Sequence, residues 1–246
     1  MILAAGKGSR LGDLTAERPK VLLEVLGETL LRHQRNALGA AGVTDVHLVV
    51  GHGASAVRIH PDAEGVTIWE NPHYSTTNMV ATVLCASDLF DGSTDLLVCY
   101  GDIVYEPGVV RALLRSDAPI AVAVDLAWRE YWEARMDSPL SDAETLRRSV
   151  EGYITEVGNA PSGYEDIDGQ YIGLIRVHAS QLRYLLRMAV KLVKGDPNAF
   201  MTALLQAMID DGQSVKSVEI AHQWLEFDTP RDLQLVSDGF WSHLAR

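Results

Sequence analysis

The chain begins MILAAGKGSRLGDLTAERPK (residues 1–20): an apolar run, Met1–Ala4, gives way at once to Gly6, Gly8 and Gly12, with Lys7 and Arg10 between them. A glycine-rich turn leaving a strand offers backbone N–H groups to an anion without Cβ obstruction, so the stretch reads as a phosphate-binding turn. Two well-known versions fail on spacing. The P-loop needs Gly-Lys followed by Ser or Thr, and Lys7 is followed by Gly8. The dinucleotide fingerprint needs its third glycine where Leu11 stands, and Gly12 comes one place late. What remains is another phosphate turn, in which Arg10 and Lys20 add charge beside the backbone donors and Pro19 restricts the direction from which Lys20 enters. Taken alone, the stretch also reads as an ordinary strand-to-helix turn with exposed basic residues.

Outward from this turn, strand-like apolar runs recur at Met1–Ala4, Val46–Val50, Val66–Trp69, Leu96–Cys99 and Ile120–Val124, and helical spacing covers Leu30–Ala41 and Met79–Leu89. Strands alternating with helices predict a Rossmann-like α/β/α sandwich on a mixed, mostly parallel sheet, with ligands beyond the carboxyl ends of the strands. Residues from about 125 to 180 are more polar, acidic and aromatic; GYITEVG (152–158) and GQYIGLIRVH (169–178) read there as two antiparallel strands around a loop. Helices are expected over Ser180–Lys194 and Asn198–Asp211, then a last strand, turn and helix in SVEIAHQWLEFDTPRDLQLVSDGF (217–240). The whole, 1–246, reads as one domain in which about 125–180 is a small strand–loop–strand and helical insert.

With 47% hydrophobic residues the chain can bury a full core, and a formal charge of -12 argues against a nucleic-acid partner, which needs a basic face. Small anionic substrates stay open if the few basic residues converge. No apolar run reaches the ~18 residues of a membrane span, and no signal-peptide core is present, so a cytoplasmic protein off the membrane is expected. Cys85 and Cys99 read as buried free thiols, with a disulfide between them left open. His33, His47, His52, His60, His73, His178, His222 and His243 show no i,i+4 pair on one helix, and zinc is not expected. A homodimer is compatible with the sequence, though no feature fixes it.

Two carboxylates stand out. LLVCYGDIVY (96–105) is an apolar strand ending at Gly101-Asp102, which places a carboxylate where a parallel sheet holds its ligands. HQWLEFDTPRDL (222–233) alternates Trp224, Glu226 and Asp228 on one strand face before a helix start marked by Thr229-Pro230. Converging on a triphosphate, Asp102 and Asp228 would hold Mg²⁺, a hard cation that takes oxygen ligands. Read singly, Asp102 is equally a turn residue and Asp228 a helix-proximal cap, while Asp232 caps or charges the first helical turn.

The stretch LAAGKGSRLGDLTAERPKVLLEVLGETLL (3–31) closely resembles the signature of the nucleotidyltransferases of nucleotide-sugar synthetase type, and the likeness runs through both acidic motifs. The resemblance implies an enzyme of the nucleotidyltransferase class that uses Mg²⁺ on Asp102 and Asp228, with catalytic roles for Arg10, Lys20 and Asp102. It further implies that Leu3, Ala4, Ala5, Gly6, Lys7, Gly8 and Arg10 surround the nucleotide with Lys20, Asn78 and Gly101. Arg10 and the loop backbone would take the β- and γ-phosphates, Lys20 the α-phosphate and the incoming oxygen. No protein nucleophile is needed: an acceptor oxygen attacks the α-phosphorus in line and pyrophosphate leaves. Relatives usually carry a few more residues before ILAAG, so either the first strand is clipped or the natural start lies upstream of Met1.

ENPHYSTTNMVATVLCA (70–86) is similar to the small CTP-dependent cytidylyltransferases acting on phosphocholine, phosphonates or inositol phosphate, which implies that Asn71, Tyr74, Ser75, Thr77 and Asn78 line the nucleoside or acceptor. Asn78 as a plain helix N-cap is the other reading. DSPLSDAETL (137–146), YITEVGN and DGQYIGLIRV resemble the same branch, whose insert closes over the acceptor, and they put Tyr171 and Gly173 on that side; Glu226 is a weaker candidate for metal or acceptor. Asn159 stands where relatives often carry lysine. Trp128, Tyr131 and Trp132 read either as an aromatic box for a quaternary ammonium or as a packed helical stripe. An anionic acceptor would instead draw on Arg129, Arg135, Arg147 or Arg148. The sequence therefore points to a cytidylyltransferase that takes CTP and a small phosphate or phosphonate acceptor. Its rivals are a sugar-1-phosphate uridylyl- or thymidylyltransferase and a non-catalytic nucleotide sensor.

Overall fold

The computed structural model describes residues 1–239; Phe240, the end of the last expected helix, and His243 lie outside them. Seven strands form the central sheet: β1 (Ile2–Ala4), β2 (His47–Val50), β3 (Thr67–Glu70), β4 (Leu96–Tyr100), β5 (Ile120–Asp125), β6 (Gln170–Val177) and β7 (Val215–Ile220). Their order is β7-β5-β6-β4-β1-β2-β3. All neighbours pair in parallel except β6, which runs antiparallel to both β4 and β5. The sheet is thus the mixed, mostly parallel one expected.

Side-chain alternation splits the strands between two cores. Ile2, Leu48, Val50, Cys99 and Ala123 face one core, with Leu30, Leu31 and Leu38 of α1 (Leu30–Ala40) and Val109, Val110 and Leu113 of the helix Pro107–Leu114, called α3. Leu3, Val49, Val98, Val122 and Ile175 face the other, with Val80 and Val83 of α2 (Met79–Leu84) and residues of α5 (Ala179–Gly195) and α6 (Met201–Asp210). The shortest central strand, β1, is still flanked on both sides.

Three local expectations are corrected. GYITEVG and GQYIGLIRVH do not pair with each other: Ile154–Val157 pairs with Leu146–Arg148, while Gln170–Val177 joins the central sheet. A buried run of eight residues finds more area between two long strands than beside a short polar one. The helix from Met79 ends at Leu84, and the chain tightens into a 3₁₀ turn over Ser87–Phe90 that buries Phe90. The helix expected from Asn198 starts at Met201, because Pro197 and Ala199 spend their carbonyls on Asn78 and Val80 N–H, at 3.1 and 3.3 Å. Both cysteines are free thiols, Cys99 buried and Cys85 half-buried.

The segment 126–169 leaves the sheet at Asp125 and returns at Gln170. It carries α4 (Trp128–Arg135) and the small Leu146–Arg148/Ile154–Val157 ladder. The last helix, α7 (Pro230–Ser237), follows the strand Trp224–Glu226, which pairs antiparallel with Ile103–Tyr105.

Candidate active site

Gly6 and Gly8 follow β1 directly, at the carboxyl end of the sheet. Gly8 has φ +62°, and a side chain there would press on Lys20 Cβ and Thr15 Cγ2, both at 3.3 Å. The Thr15 hydroxyl donates to the Gly8 carbonyl at 2.7 Å and closes the turn. A Cβ at Gly6 would meet nothing within 4 Å, so its backbone is open to a ligand. Pro19 is wedged against Gly53, where a side chain would approach Pro19 Cδ to 2.7 Å, and Lys20 begins the 3₁₀ turn Lys20–Leu22.

Two acidic motifs 126 positions apart meet because the strand after Asp102 pairs with the strand before Asp228: Ile103 faces Glu226, and Phe227 N–H donates to the Asp102 carbonyl at 2.9 Å. Lys20 Nζ then lies 2.9 Å from Asp102 Oδ2 and 2.6 Å from Asp228 Oδ1. Burial alone would push the Lys20 pKa down, but the two carboxylates outweigh it and hold the ammonium above its ordinary range. Arg10 Nη2 reaches Asp228 Oδ2 at 2.5 Å and Nη1 reaches Asp142 at 3.6 Å, while its side chain stays 62% exposed.

A supporting layer holds Asp228. Asp232 Oδ2 accepts from the Asp228 and Thr229 N–H groups at 2.8 and 2.7 Å, which is the capping role expected of it. Its Oδ1 takes Arg135 Nε at 2.7 Å, and Arg135 Nη1 lies 2.7 Å from Glu226 Oε2. Burial raises the Glu226 pKa, Arg135 opposes it and Asp102 and Asp228 add to the rise, leaving it at about 7.

Asp102 Oδ1 is buried and has no hydrogen-bond partner. That free oxygen, beside Asp228, fits a hard cation whose remaining ligands are phosphate oxygens and waters. Asp102 and Asp228 would hold it.

The cleft has a volume of about 270 Å³. Leu3, Ala4, Ala5, Gly6, Gly8, Arg10, Lys20, Tyr74, Asn78, Gly101, Asp102 and Asp228 line it, as do Thr77, Ser9, Val21, Met79, Thr82 and Phe200. Lys7 is exposed and off the lining. Asn78 both lines the cleft and caps α2, its Oδ1 accepting from Met79 N–H at 2.9 Å. Asn71 is buried and spends its amide on Thr77 and Thr82, so it shapes the wall without lining it, and Ser75 is exposed off the cleft. Tyr171, Gly173 and Glu226 are not among the residues that line it. Gly173, with φ +86°, admits the Tyr100 ring, which would lie 2.5 Å from a side chain there. Asn159 donates from Nδ2 to Glu156 Oε1 at 3.1 Å.

Of the two readings of the aromatic face the structure shows the packed stripe, and Trp128 and Tyr131 do not line the cleft. Trp128, Tyr131 and Trp132 are 2–5% exposed; they pack edge-on with one another, and Trp224 meets Tyr131 edge-on at 5.5 Å and Trp132 at a tilt at 6.0 Å. Their polar ends are also committed: Trp132 Nε1 donates to Asp142, and the Tyr131 hydroxyl bonds the Glu226 backbone. Burying these rings against Trp224 removes more apolar area from water than an open cage would. The four arginines are likewise engaged: Arg135 as above, Arg129 with Glu133, Arg147 with Asp168 and Arg148 with Glu219. Phe200 was missed, because the sequence places it inside the expected helix Asn198–Asp211, whereas it stands just ahead of Met201 and lines the cleft.

A sheet that presents a glycine turn, a lysine and two facing carboxylates at its carboxyl end defines a nucleotidyltransferase. A model of the MobA-like NTP transferase domain matches residues 1–189, and the chain belongs to that family. It is 34% identical over 247 residues to the CTP:phosphoglutamine cytidylyltransferase of Campylobacter jejuni, covering 96% of this chain and 97% of that one. It is 41% identical over 160 residues to the CMP-5'-(3-aminopropyl)phosphonate synthase of Streptomyces rubellomurinus, covering 63% of this chain and 24% of the relative. In fold it is similar to the inositol-1-phosphate CTP transferase of T. maritima (TM-score 0.77, 20% identity, 100% and 95% covered). The CTP:phosphocholine cytidylyltransferase of Streptococcus pneumoniae is also similar (TM-score 0.71, 17% identity, 97% of each covered). Among the described residues no helix is long and apolar enough to cross a membrane.

Proposed function

We propose that this nucleotidyltransferase moves CMP from CTP onto a small phosphorylated or phosphonate acceptor, with Mg²⁺ and with release of pyrophosphate. The observation that carries the reading is Lys20 clamped between Asp102 and Asp228 beside an open Gly6 backbone. The base and acceptor class follow the two sequence relatives named above, both of which handle cytidylyl groups by name.

On this reading the backbone from Ala4 to Gly8 and the Arg10 guanidinium bind the β- and γ-phosphates, and Asn78, Thr77 and Tyr74 bound the nucleoside. Lys20 is handed from the two carboxylates to the α-phosphate and the acceptor oxygen, where negative charge grows as attack proceeds. An acceptor P–O⁻ forms the new bond to the α-phosphorus as the bond to the bridging oxygen breaks, and pyrophosphate takes the electron pair. Asp102 and Asp228 would hold Mg²⁺, which when bound would supply neutralisation of phosphate charge. The test is pyrophosphate release with CTP, UTP, ATP, GTP and dTTP, each with a pool of phosphate and phosphonate acceptors. Release with CTP supports the reading; release with UTP or dTTP and a sugar phosphate alone would replace it, and no release with any pair would leave a nucleotide sensor.

A further inference from the structure

The position of the Asp228 carboxylate depends on main chain that another part of the molecule holds. Phe227 N–H donates to the Asp102 carbonyl at 2.9 Å, and the N–H groups of Asp228 and Thr229 both donate to Asp232 Oδ2. A capping box asks only that the third helical residue take the cap N–H. Asp232 is buried and takes the Asp228 N–H as well.

Helix α4 fixes this arrangement from outside. Tyr131 and Arg135 stand one turn apart on it, with the guanidinium 5.0 Å from the centre of the Tyr131 ring. Two residues ahead of Asp228, the Tyr131 hydroxyl accepts from Glu226 N–H at 2.9 Å and donates to the Glu226 carbonyl at 3.2 Å. Four residues beyond Asp228, Arg135 Nε holds Asp232 Oδ1 at 2.7 Å, while Nη1 lies 2.7 Å from Glu226 Oε2. One face of α4 therefore grips the chain on both sides of Asp228. Joining α4 to α7 does not by itself call for ions: apolar side chains of similar volume often hold two buried elements as well as an arginine with its carboxylates does. What the guanidinium and the phenol hydroxyl add is direction. A phenylalanine would pack on Trp224 as Tyr131 does, at 5.5 Å, but would leave the Glu226 main chain untied.

We infer that Tyr131 and Arg135 are positioning residues for the cation site: acting through the Glu226 main chain and through Asp232, they set where the Asp228 carboxylate stands relative to Asp102. The inference rests on the proposed assignment of Mg²⁺ to those two aspartates and deepens it. Neither Tyr131 nor Arg135 touches the ion, yet groups that orient a metal's ligands govern its affinity by about ten- to a hundredfold. The segment 126–169 thereby serves the cation site as well as the acceptor side.

Electron paramagnetic resonance tests this, with Mn²⁺ titrated into protein saturated with a CTP analogue that carries a methylene bridge between its α- and β-phosphates. Tyr131→Phe, which keeps the ring, and Arg135→Met, which keeps most of the volume, should each weaken Mn²⁺ binding by about tenfold or more. In an Asp228→Asn background the same substitutions should change it by less than about twofold, because the carboxylate they aim is gone; in an Asp102→Asn background the loss should persist. A merely structural role would give the same loss in all three backgrounds. Tyr131→Phe carries the test if Arg135→Met does not fold. Unchanged Mn²⁺ affinity in either folded variant, or a loss of equal size with and without the Asp228 carboxylate, would overturn the inference. Mn²⁺ held no more tightly by the wild-type complex than by the analogue in water would overturn it together with the metal assignment. Absence of pyrophosphate release with every triphosphate would sink the transferase reading separately, because the metal titration does not depend on turnover.

Discussion

At the scale of single residues the site is an ion triad waiting for a fourth party. Lys20 pairs with both Asp102 and Asp228, and on the proposed reading all three act on the bound phosphates. Lys20→Ala and Asp102→Asn are expected to lower pyrophosphate release by roughly a hundredfold or more while far-ultraviolet circular dichroism stays unchanged. Near-normal turnover in either variant would dismiss the assigned roles. Glu226 gives a pH signature. Its native pKa of about 7 lies above the ordinary 4.5, so the native state holds the proton longer than the unfolded chain. Its contribution to stability is therefore full below about pH 4.5 and is lost as pH rises through about 7. In EDTA, the urea midpoint of Glu226→Gln should gain on that of wild type from pH 5 to pH 8; parallel profiles would refute it. At this scale the motifs named the residues through their resemblance, and the structure brings Gly6, Gly8, Arg10, Lys20, Asp102 and Asp228 together around one cleft. Phe200 was not legible in the sequence, because an exposed ring acquires meaning only from cleft neighbours that are distant in the chain.

Among elements, α4 shows where periodicity stops informing. Trp128, Tyr131 and Trp132 share one helical face, and spacing alone leaves open whether that face meets a ligand or the core. Trp224, nearly a hundred positions on, decides it by packing on Tyr131 and Trp132. In the same way, alternation in Gln170–Val177 marked a strand but not its partners. Arg135, at the end of α4, joins this helix to the strand and helix that carry Glu226, Asp228 and Asp232. Arg135→Ala leaves two carboxylates without their buried counter-ion, and chemical denaturation should report a loss of about 3–5 kcal/mol. An unchanged midpoint would mean that water replaces the guanidinium freely. Gly101 sets the spacing between β1 and the Asp102 turn, since a side chain there would meet the Leu3 carbonyl at 2.5 Å. Gly101→Ala is expected to displace Asp102 and cut turnover more than it cuts stability, as seen by comparing kcat with the thermal midpoint.

For the whole molecule the expected behaviour is linkage between nucleotide and metal. CTP at about a hundredfold its Kd should stabilise the protein by about 2.7 kcal/mol, read as a rise in Tm, and EDTA should remove most of the shift. A full shift in EDTA would show that the cation has no part in nucleotide binding. The layered α/β fold was legible because alternating apolar patterns specify which face of each strand is buried; the reversed strand β6 was not, because direction leaves no mark on such a pattern. That reversal has a consequence for how the molecule changes over time. Asp125 and Gln170 face each other across the β5–β6 ladder, so the segment between them departs from and returns to one point on the rim. Doubling such a loop costs only about 0.6 kcal/mol of closure entropy. The rim therefore works as a socket: on the proposed reading, a lineage can exchange the plug and acquire a new acceptor without rebuilding the central sheet. The one condition is that the new plug brings its own partners for Trp224 and for the Asp232 carboxylate.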